Sequence, residues 1–530
     1  MERLGKQPPE TLEPSKNARI KADFKKCNNC MGSSASKKVV VIGAGIGGLT
    51  AAALLAHRGY QVNVFDQAIV PGGCASTFKR RGFTFDVGAT QVAGLEAGGI
   101  HYQIFEELGI ELPPASECDP ACAVFLPGEM EPINVWRDLE RWKIERERQF
   151  PGSASFWAFM QAMFDFSWRF QQREPVLPPR NVWDVWQLAK ALRPDTLLTV
   201  PFTFSTVGDI LKGYGLYENQ RLRTFLDMQL KLYSQTTADK TAALYAATAL
   251  GVSQAPHGLF HLKGSMQALS DRLVTALEKN GGKLHMRHSA EAIDIENGRP
   301  TRVKITNNKG DSWLEAADHV VANVTVQNLV KLASCHEMKG YKKRVEQLPP
   351  SSGAFVIYLG VEQSAIPENC PPHLQFLYDY DGPIAENNSL FVSVSRAGDG
   401  RAPAGKATII ASSFTRVQPW YDCDEAGYKV MKENYTQTAI SRLKDYFDLR
   451  SENLVHVEAA TPRSFETFTG RSQGIVGGIG QRVPTFGPFG FATRTPVQNL
   501  WLVGDSTHPG EGTAGVSYSA MTAVRQIEAG

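Results

Sequence analysis

The chain of 530 residues carries 56 Lys and Arg against 54 Asp and Glu, a net charge of +2 that argues against nucleic acid as a main partner. Hydrophobic residues are 42% and charged residues 21% of the whole, a globular balance that excludes a mainly disordered chain. Eight cysteines are too few for a disulfide framework, and neither Cys27/Cys30 nor Cys118/Cys122 has a companion pair at zinc spacing, so no metal centre is expected.

Residues 1–36 hold seven Lys/Arg, four Asp/Glu and no apolar run, which predicts a disordered, mildly basic tail rather than a secretory signal. No stretch approaches the 18 apolar residues of a membrane-spanning helix. Residues 38–42 form a short β-branched run that reads as a buried parallel strand. Gly43, Gly45 and Gly48 follow as GxGxxG, then an Ala/Leu-rich helix over 49–58, then a strand over 61–65 ending at Asp66. This spacing has a chemical reason. Gly43 allows the tight turn, Gly45 lets the backbone approach a pyrophosphate, and Gly48 allows close helix packing. The helix N-terminus favours the phosphate charge, and Asp66 stands where a carboxylate bonds ribose hydroxyls.

The next segment, PGGCASTFKRRGFTFDVGAT, resembles the double-glycine segment of the amine oxidase and phytoene desaturase superfamily. The resemblance implies that Gly72, Gly73, Asp86 and Gly88 contact the diphosphate and flavin of FAD. Many members carry Arg where this chain has Cys74, which leaves one phosphate contact to Lys79, Arg80 or Arg81. Cys74 itself reads as a small buried filler.

Residues 116–250 are aromatic-rich and read as helices, as in FWAFMQAMFDFSWRF. In NVWDVWQLAKAL, the residues Val182, Trp183, Val185, Trp186, Ala189 and Leu192 share one face beside Arg180, Lys190 and Arg193, a pattern suited to a membrane interface. His257, His261 and His508 read as hydrogen-bonded structural residues. The dinucleotide fold returns over 263–323: a helix with an apolar face at Met266, Leu269, Leu273, Ala276 and Leu277, a strand over 283–289, short strands with turns, and a strand over 319–323. Residues 351–415 hold alternating strands such as AFVIYLGV and KATIIASSF, the mixed sheet of a substrate domain. The C-terminal NLWLVGDSTHPGEGTAGVSYSAMTAVRQI reads as a strand over 500–503, a Gly-rich loop, and a helix from about 513 to 527. Free N–H groups at the helix start, over 512–515, suit the negative charge of a reduced flavin.

HGLFHLKGSMQALSDRLVTALEKNGGKL, RAPAGKATII and VGDSTHPGEGTAGVSYSA together resemble the bacterial-type phytoene desaturase and carotenoid isomerase family, over about 37–530. The GEGTAGVSYSA ending is most similar to cyanobacterial carotenoid 3′,4′-desaturases. The resemblance implies an α/β fold, with a glutathione-reductase-like, Rossmann-type FAD-binding domain (37–115, 251–330 and 471–530). A discontinuous substrate domain of mixed sheet plus helices occupies 116–250 and 331–470. It adds Ala290 beside adenine, and Gly504, Asp505, Gly515 and Val516 to the flavin site. It further implies a long polyene substrate and peripheral attachment to the cytoplasmic face of a membrane; the electron acceptor is not read from the sequence and stays open between quinone and dioxygen. Glu511, in the loop expected beside the flavin, is the candidate catalytic residue. The expected reaction is desaturation of a carotenoid at a 3′,4′ bond. A carotenoid cis–trans isomerase, a flavin amine oxidase and a non-enzymatic isoprenoid-binding escort protein are the rival readings.

Overall fold

The run KVVVI at Lys38–Ile42 buries every side chain from Val39 to Ile42, as a central strand covered on both faces must. In the computed structural model, which describes residues 37–530, this strand anchors a five-stranded sheet. The predicted tail over 1–36, with Cys27 and Cys30, lies outside the described residues. Strand order is Lys283–Met286, Gln61–Asp66, Lys38–Ile42, His319–Ala322, Leu500–Leu502, and each pairing is parallel. Neighbours in this sheet therefore come from distant parts of the chain.

The helix after the first strand, Ile46–His57, starts three residues before the predicted position and buries everything from Ile46 to Ala56. Its Gly, Ala and Thr residues make it thin. The closing helix Thr513–Ala529 and the helix Gln267–Lys279 both pack on it. Thr50 Oγ1 and Ser517 Oγ stand 3.3 Å apart across the first of these contacts.

The strand predicted over 283–289 is two strands. Arg287 adopts a left-handed conformation (φ +62°) and donates its N–H to Ala68 O at 3.0 Å, which turns the chain out of the parallel sheet. His288–Glu296 then begins an antiparallel sheet with Arg299–Asn307 and Ser312–Ala316. Ala290 consequently lies inside a strand, next to an irregularity in its register, rather than after one.

A seven-stranded sheet runs in the order Leu454–Ala460, Ser352–Glu362, Lys406–Arg416, Ser389–Val394, His373–Leu377, Cys122–Phe125, Ile133–Val135. Ser352–Glu362 is buried along its length because both faces are covered. Phe355, Ile357 and Leu359 pack with Trp420 and Leu443, while Ala354, Val356 and Tyr358 pack with Phe83, Phe85 and Phe465. Cys122–Phe125 reaches this sheet by parallel pairing with His373–Leu377. Burial raises the thiol pKa of both Cys118, to about 11, and Cys122.

Helices between residues 139 and 251 cover this half. Ala154–Gln171 buries Phe156, Trp157, Met160, Met163 and Phe164 on one stripe. Val182–Ala191 is inverted: Asp184, Gln187 and Ala191 face the protein, while Val182 (87% exposed), Val185 (54%) and Trp186 (59%) face outward. Asp184 is fully buried and accepts from Arg494 Nε (3.1 Å), Gln526 Nε2 (3.0 Å) and Arg180 N (2.9 Å). Leu197, Leu198, Val200 and Phe204 continue the exposed apolar surface. Trp183, predicted on the outer face, is half-buried, with the Arg525 guanidinium 5.9 Å from its ring. Among the described residues no helix is long and apolar enough to cross a membrane.

Candidate functional site

A cavity of about 810 Å³ begins at the ends of the parallel strands and continues to the inner face of the seven-stranded sheet. Gly43, Gly45, Asp66, Gly72, Gly73, Gly88, Ala290, Gly504, Asp505, Glu511, Gly515 and Val516 all line it. Of the residues expected from sequence to contact the cofactor, Gly48, Asp86 and the basic residues Lys79, Arg80 and Arg81 do not.

The glycines pack backbone against backbone. Gly43 has φ +95° and faces Asn323: a Cβ there would sit 2.6 Å from Asn323 O. A Cβ at Gly45 would lie 2.7 Å from Asn323 Nδ2, and one at Gly504 would lie 2.8 Å from Asn323 Oδ1. Gly48 lies one layer below, where any side chain would collide with Gly43 O. The double-glycine loop closes on the first one, since Gly72 N donates to Ala44 O at 2.8 Å and Gly45 bridges Gly72. Asn323 was not singled out from the sequence. It lies one residue past the strand His319–Ala322, and only the adjacency of that strand to Lys38–Ile42 brings it between the two glycine loops.

Asp66 accepts from Ala44 N (2.6 Å) and Ala68 N (2.7 Å), and burial raises its pKa despite these bonds. Asp505 pairs with Arg471 at 2.8 Å, and Arg471 Nε also donates to Ile475 O at 2.6 Å. Arg471 is the basic group of this region. The expected stand-ins do not line the cavity: Lys79 and Arg81 are exposed, and Arg80 pairs with Glu458 at 3.3 Å on the surface. Hairpin geometry explains this: Lys79 and Arg80 end the strand Thr77–Arg80 and Arg81 lies in the turn after it, at the exposed end of the hairpin. Asp86 is likewise a correction. It is fully buried, accepts from Met266 N (2.8 Å) and Thr77 Oγ1 (3.1 Å), and pairs with Arg401. Cys74 lines the cavity instead of filling a core, and burial raises its thiol pKa.

His257, His261 and His508 each have a polar partner: Glu96 Oε1 (3.1 Å), Asp399 Oδ2 (3.1 Å) and Gln171 Nε2 (2.9 Å).

Beyond Asp505 the cavity holds a second polar group. Glu511 Oε2 accepts from Gln235 Nε2 at 3.0 Å, whereas Glu511 Oε1 and Gln235 Oε1 have no partner. Burial raises the Glu511 carboxyl to about 8, with Asp505 adding to the shift and Gln235, Gly478 N and Arg471 opposing it. At neutral pH this group therefore carries its proton. Gln235 caps the helix Gln220–Ser234 in a left-handed conformation (φ +63°), a strained state for a residue with a side chain. Its carbonyl accepts from Lys231 Nζ at 3.0 Å. The closing helix starts at Gly512 without a side-chain cap, so the first-turn residues Thr513, Ala514 and Gly515 line the cavity with their backbone N–H groups uncapped. The remaining wall is largely apolar and aromatic, including Trp168, Tyr245, Val252, Phe391, Phe414 and Phe486.

This arrangement, a glycine-lined dinucleotide cradle opening into an apolar chamber, defines a flavin-dependent oxidoreductase. The chain matches the family model described as flavin containing amine oxidoreductase over residues 46–528 and belongs to that family. It is 26% identical to the chloroplastic prolycopene isomerase of Daucus carota over 517 residues, covering 94% of this chain and 81% of the relative. It is 25% identical to the 4,4′-diapophytoene desaturase (4,4′-diapolycopene-forming) of Methylomonas sp, covering 93% of this chain and 95% of the relative. The crystal structure of an oxidoreductase from Methanosarcina mazei shares the fold, with TM-score 0.59 and 19% identity, over 92% of this chain and all of that one. The residues present fit a flavin: the glycine cradle admits no side chain, Asp66 and Asp505 stand at its rim, and Glu511 Oε1 is left without a protein partner.

Gly45→Val is expected to lower flavin affinity at least about tenfold, ~1.4 kcal/mol, because the side chain enters the space between Asn323 and the double-glycine loop. Flavin absorbance relative to protein in the purified variant checks this, and full flavin content would place the cofactor elsewhere.

A second expectation concerns pH. Because the folded-state pKa of Glu511 (about 8) exceeds the usual 4.5, the folded protein holds the extra proton between these values. Its contribution to stability is greatest below about 4.5 and declines as pH rises through 8. Glu511→Gln is expected to flatten that decline, read as the pH dependence of the denaturant midpoint of the holoprotein. Parallel curves for wild type and variant would refute the assignment.

Proposed function

We propose that the chain is an FAD-dependent carotenoid desaturase that removes two hydrogens from a C–C single bond of a polyene. The observation that carries this reading is the continuity of one cavity, from the loop at Gly43–Gly47 to the apolar chamber beside Glu511. The loop with Asp66 is suited to the ADP half of a dinucleotide, which supports FAD over a mononucleotide. The names of the Methylomonas desaturase and the Daucus isomerase support a polyene substrate. When bound, the flavin supplies the two-electron acceptor.

The chain's own residues supply position and environment. Trp168, Phe391, Phe414 and Phe486 offer ring surfaces that hold a planar hydrocarbon and exclude water. A polyene spreads the positive charge left by hydride loss, so a strong buried base is unnecessary. Glu511, protonated at neutral pH, is suited to hold a proton at this site rather than to take one up. The 3′,4′ bond is proposed from the resemblance of GEGTAGVSYSA, and quinone or dioxygen is proposed as the terminal electron acceptor.

The same proton on Glu511 favours a second reading, a carotenoid cis–trans isomerase. A proton donor beside a polyene lowers its double-bond order for rotation without net redox change.

We also propose that Val182, Val185, Trp186, Leu197, Leu198 and Phe204 rest on the cytoplasmic face of a membrane. Support comes from their shared exposure and from the polar anchoring of the helix that carries three of them.

Anaerobic mixing of the oxidised holoenzyme with a monocyclic 1′-hydroxy carotenoid is expected to bleach the flavin and give a product lighter by two hydrogens. Product of unchanged mass, formed only with flavin reduced beforehand, would establish the isomerase instead. For the membrane surface, Val185→Glu with Trp186→Glu is expected to cut co-flotation with liposomes at least about fivefold, ~1 kcal/mol. Equal flotation of the double variant would remove this surface from the contact.

A further inference from the structure

The exposed apolar surface has a charged rim that neither the flavin nor a polyene explains. Arg180 stands two residues before Val182, and only its backbone N–H is engaged, by Asp184. Among the described residues its exposed guanidinium has no hydrogen-bond or ion-pair partner. Arg344, on the helix Lys339–Glu346, lies near it. Burial lowers the Arg344 pKa, and the charge of Arg180 lowers it further, with Tyr341 opposing. No carboxylate takes part. Two like charges held close repel, and chains ordinarily part or neutralise them. Packing keeps Arg344 in place: its Nη2 donates to Phe489 O, and its guanidinium lies 4.0 Å from the centre of the Phe491 ring.

The arginine pair stands where two parts of the apolar surface meet. The exposed Phe489 ring lies 5.7 Å from the exposed Phe204 ring, while Arg180 leads into the helix of Val182, Val185 and Trp186. More cations surround the junction. Lys190 Nζ is 5.9 Å from the Trp186 ring, and the exposed Lys339 and Lys343 flank Arg344 on its helix. The acids of this region are already taken: Asp195 by Arg173 at 2.7 Å, Glu174 by Arg525 at 3.2 Å and Asp184 by Arg494 at 3.1 Å. The rim therefore has a local surplus of positive charge, in a chain whose net charge is only +2.

We infer that Arg180 and Arg344 together bind the phosphate of an anionic phospholipid, so that the chain attaches selectively to membranes that carry such lipids. The inference rests on the membrane surface proposed above and names the lipid it takes. Guanidinium forks match phosphate oxygens in pairs, and a phosphate between the two arginines turns their repulsion into attraction. Trp186 and Phe204 meanwhile enter the boundary between headgroups and acyl chains. A nucleic acid offers phosphates but no apolar phase for Leu197, Leu198 and Phe204. A zwitterionic headgroup offers a phosphate that already has its own cation, so the gain is smaller. Each Lys or Arg near an anionic surface strengthens attachment about fivefold, so the pair gives about tenfold or more.

The test floats FAD-loaded protein with vesicles of phosphatidylcholine, and with vesicles in which phosphatidylglycerol replaces part of it. Arg180→Gln with Arg344→Gln removes the pair, and Arg180→Lys with Arg344→Lys keeps its charge. Lys279→Gln with Lys444→Gln removes two exposed charges elsewhere. Flavin content and thermal midpoint report the folding of each. Wild type is expected to prefer the phosphatidylglycerol vesicles about tenfold or more. Arg180→Gln with Arg344→Gln is expected to lose most of that preference and to keep its binding to phosphatidylcholine. The other two variants are expected to retain the preference. If Arg344→Gln disturbs folding, Arg180→Gln alone carries the test, with an expected loss of about fivefold. A wild type without preference overturns the inference and leaves the apolar membrane contact standing. Retained preference on removal of the pair overturns it too. So does equal loss in the charge-keeping variant, which assigns the effect to packing on Phe489 and Phe491. Equal loss in Lys279→Gln with Lys444→Gln overturns it in favour of net charge. If wild type floats with neither vesicle, the membrane surface itself fails and this inference falls with it.

Discussion

The approach of two backbone loops around the Asn323 side chain is the constraint on which the site depends. The loop after the first strand and the loop after the last strand both present glycine to this one side chain, Gly45 to Nδ2 and Gly504 to Oδ1. A methyl group at either position would stand less than 3 Å from it, so the two loops close only because both lack side chains there. The opening and closing helices meet for the same reason. Gly47 lies against Val516 O and Gly504, and Thr50 meets Ser517. Strand ends, helix starts and the cavity mouth are thereby held in one register, with segments from opposite ends of the chain acting as one wall.

Electrostatics follow from how that wall excludes water. Asp66, Asp505 and Glu511 all face the cavity, yet they are handled differently. Asp66 has two backbone N–H partners, Asp505 has the Arg471 guanidinium, and Glu511 has the neutral Gln235 amide and the Gly478 N–H. Burial without a cation in contact is what moves Glu511 upward to about 8. Arg471 sits in a loop between the two halves of the chain's C-terminal portion. Its bonds to Ile475 O and Asp505 tie the edge of the chamber to the start of the flavin motif.

The inverted helix Val182–Ala191 shows how surface chemistry is set by anchoring. Its Asp184 is directed inward by Arg494 and Gln526, residues near the C-terminus, and this choice leaves the apolar stripe outside. An amphipathic pattern alone specifies two faces without saying which one meets the protein. Here a buried ion pair decides it, and the exposed stripe continues through Leu197, Leu198 and Phe204 as one apolar surface.

The flavin cradle was legible in the sequence because its features are local: a strand, glycines at fixed spacing, a helix and an acid fall within one short segment at each end of the chain. Backbone requirements leave marks of this kind, since only glycine tolerates the close approach at Gly45 or Gly504. Side-chain partners across the fold leave none. Asn323, Arg471, Gln235 and Lys231 carry no neighbouring pattern, and each reaches the cavity through strand order or helix packing. Asp86 and the basic residues 79–81 read as cofactor contacts by their nearness to the double glycine. In the fold, hairpin direction sends the basic side chains to the surface and Asp86 to Arg401. The break at Arg287 was hidden because a β-branched or polar run does not reveal where a chain leaves one sheet for another. Spacing along the chain thus determined the cofactor class. The tertiary structure decided which charges face the chamber, because burial and pairing are properties of residues that meet only when the chain is folded.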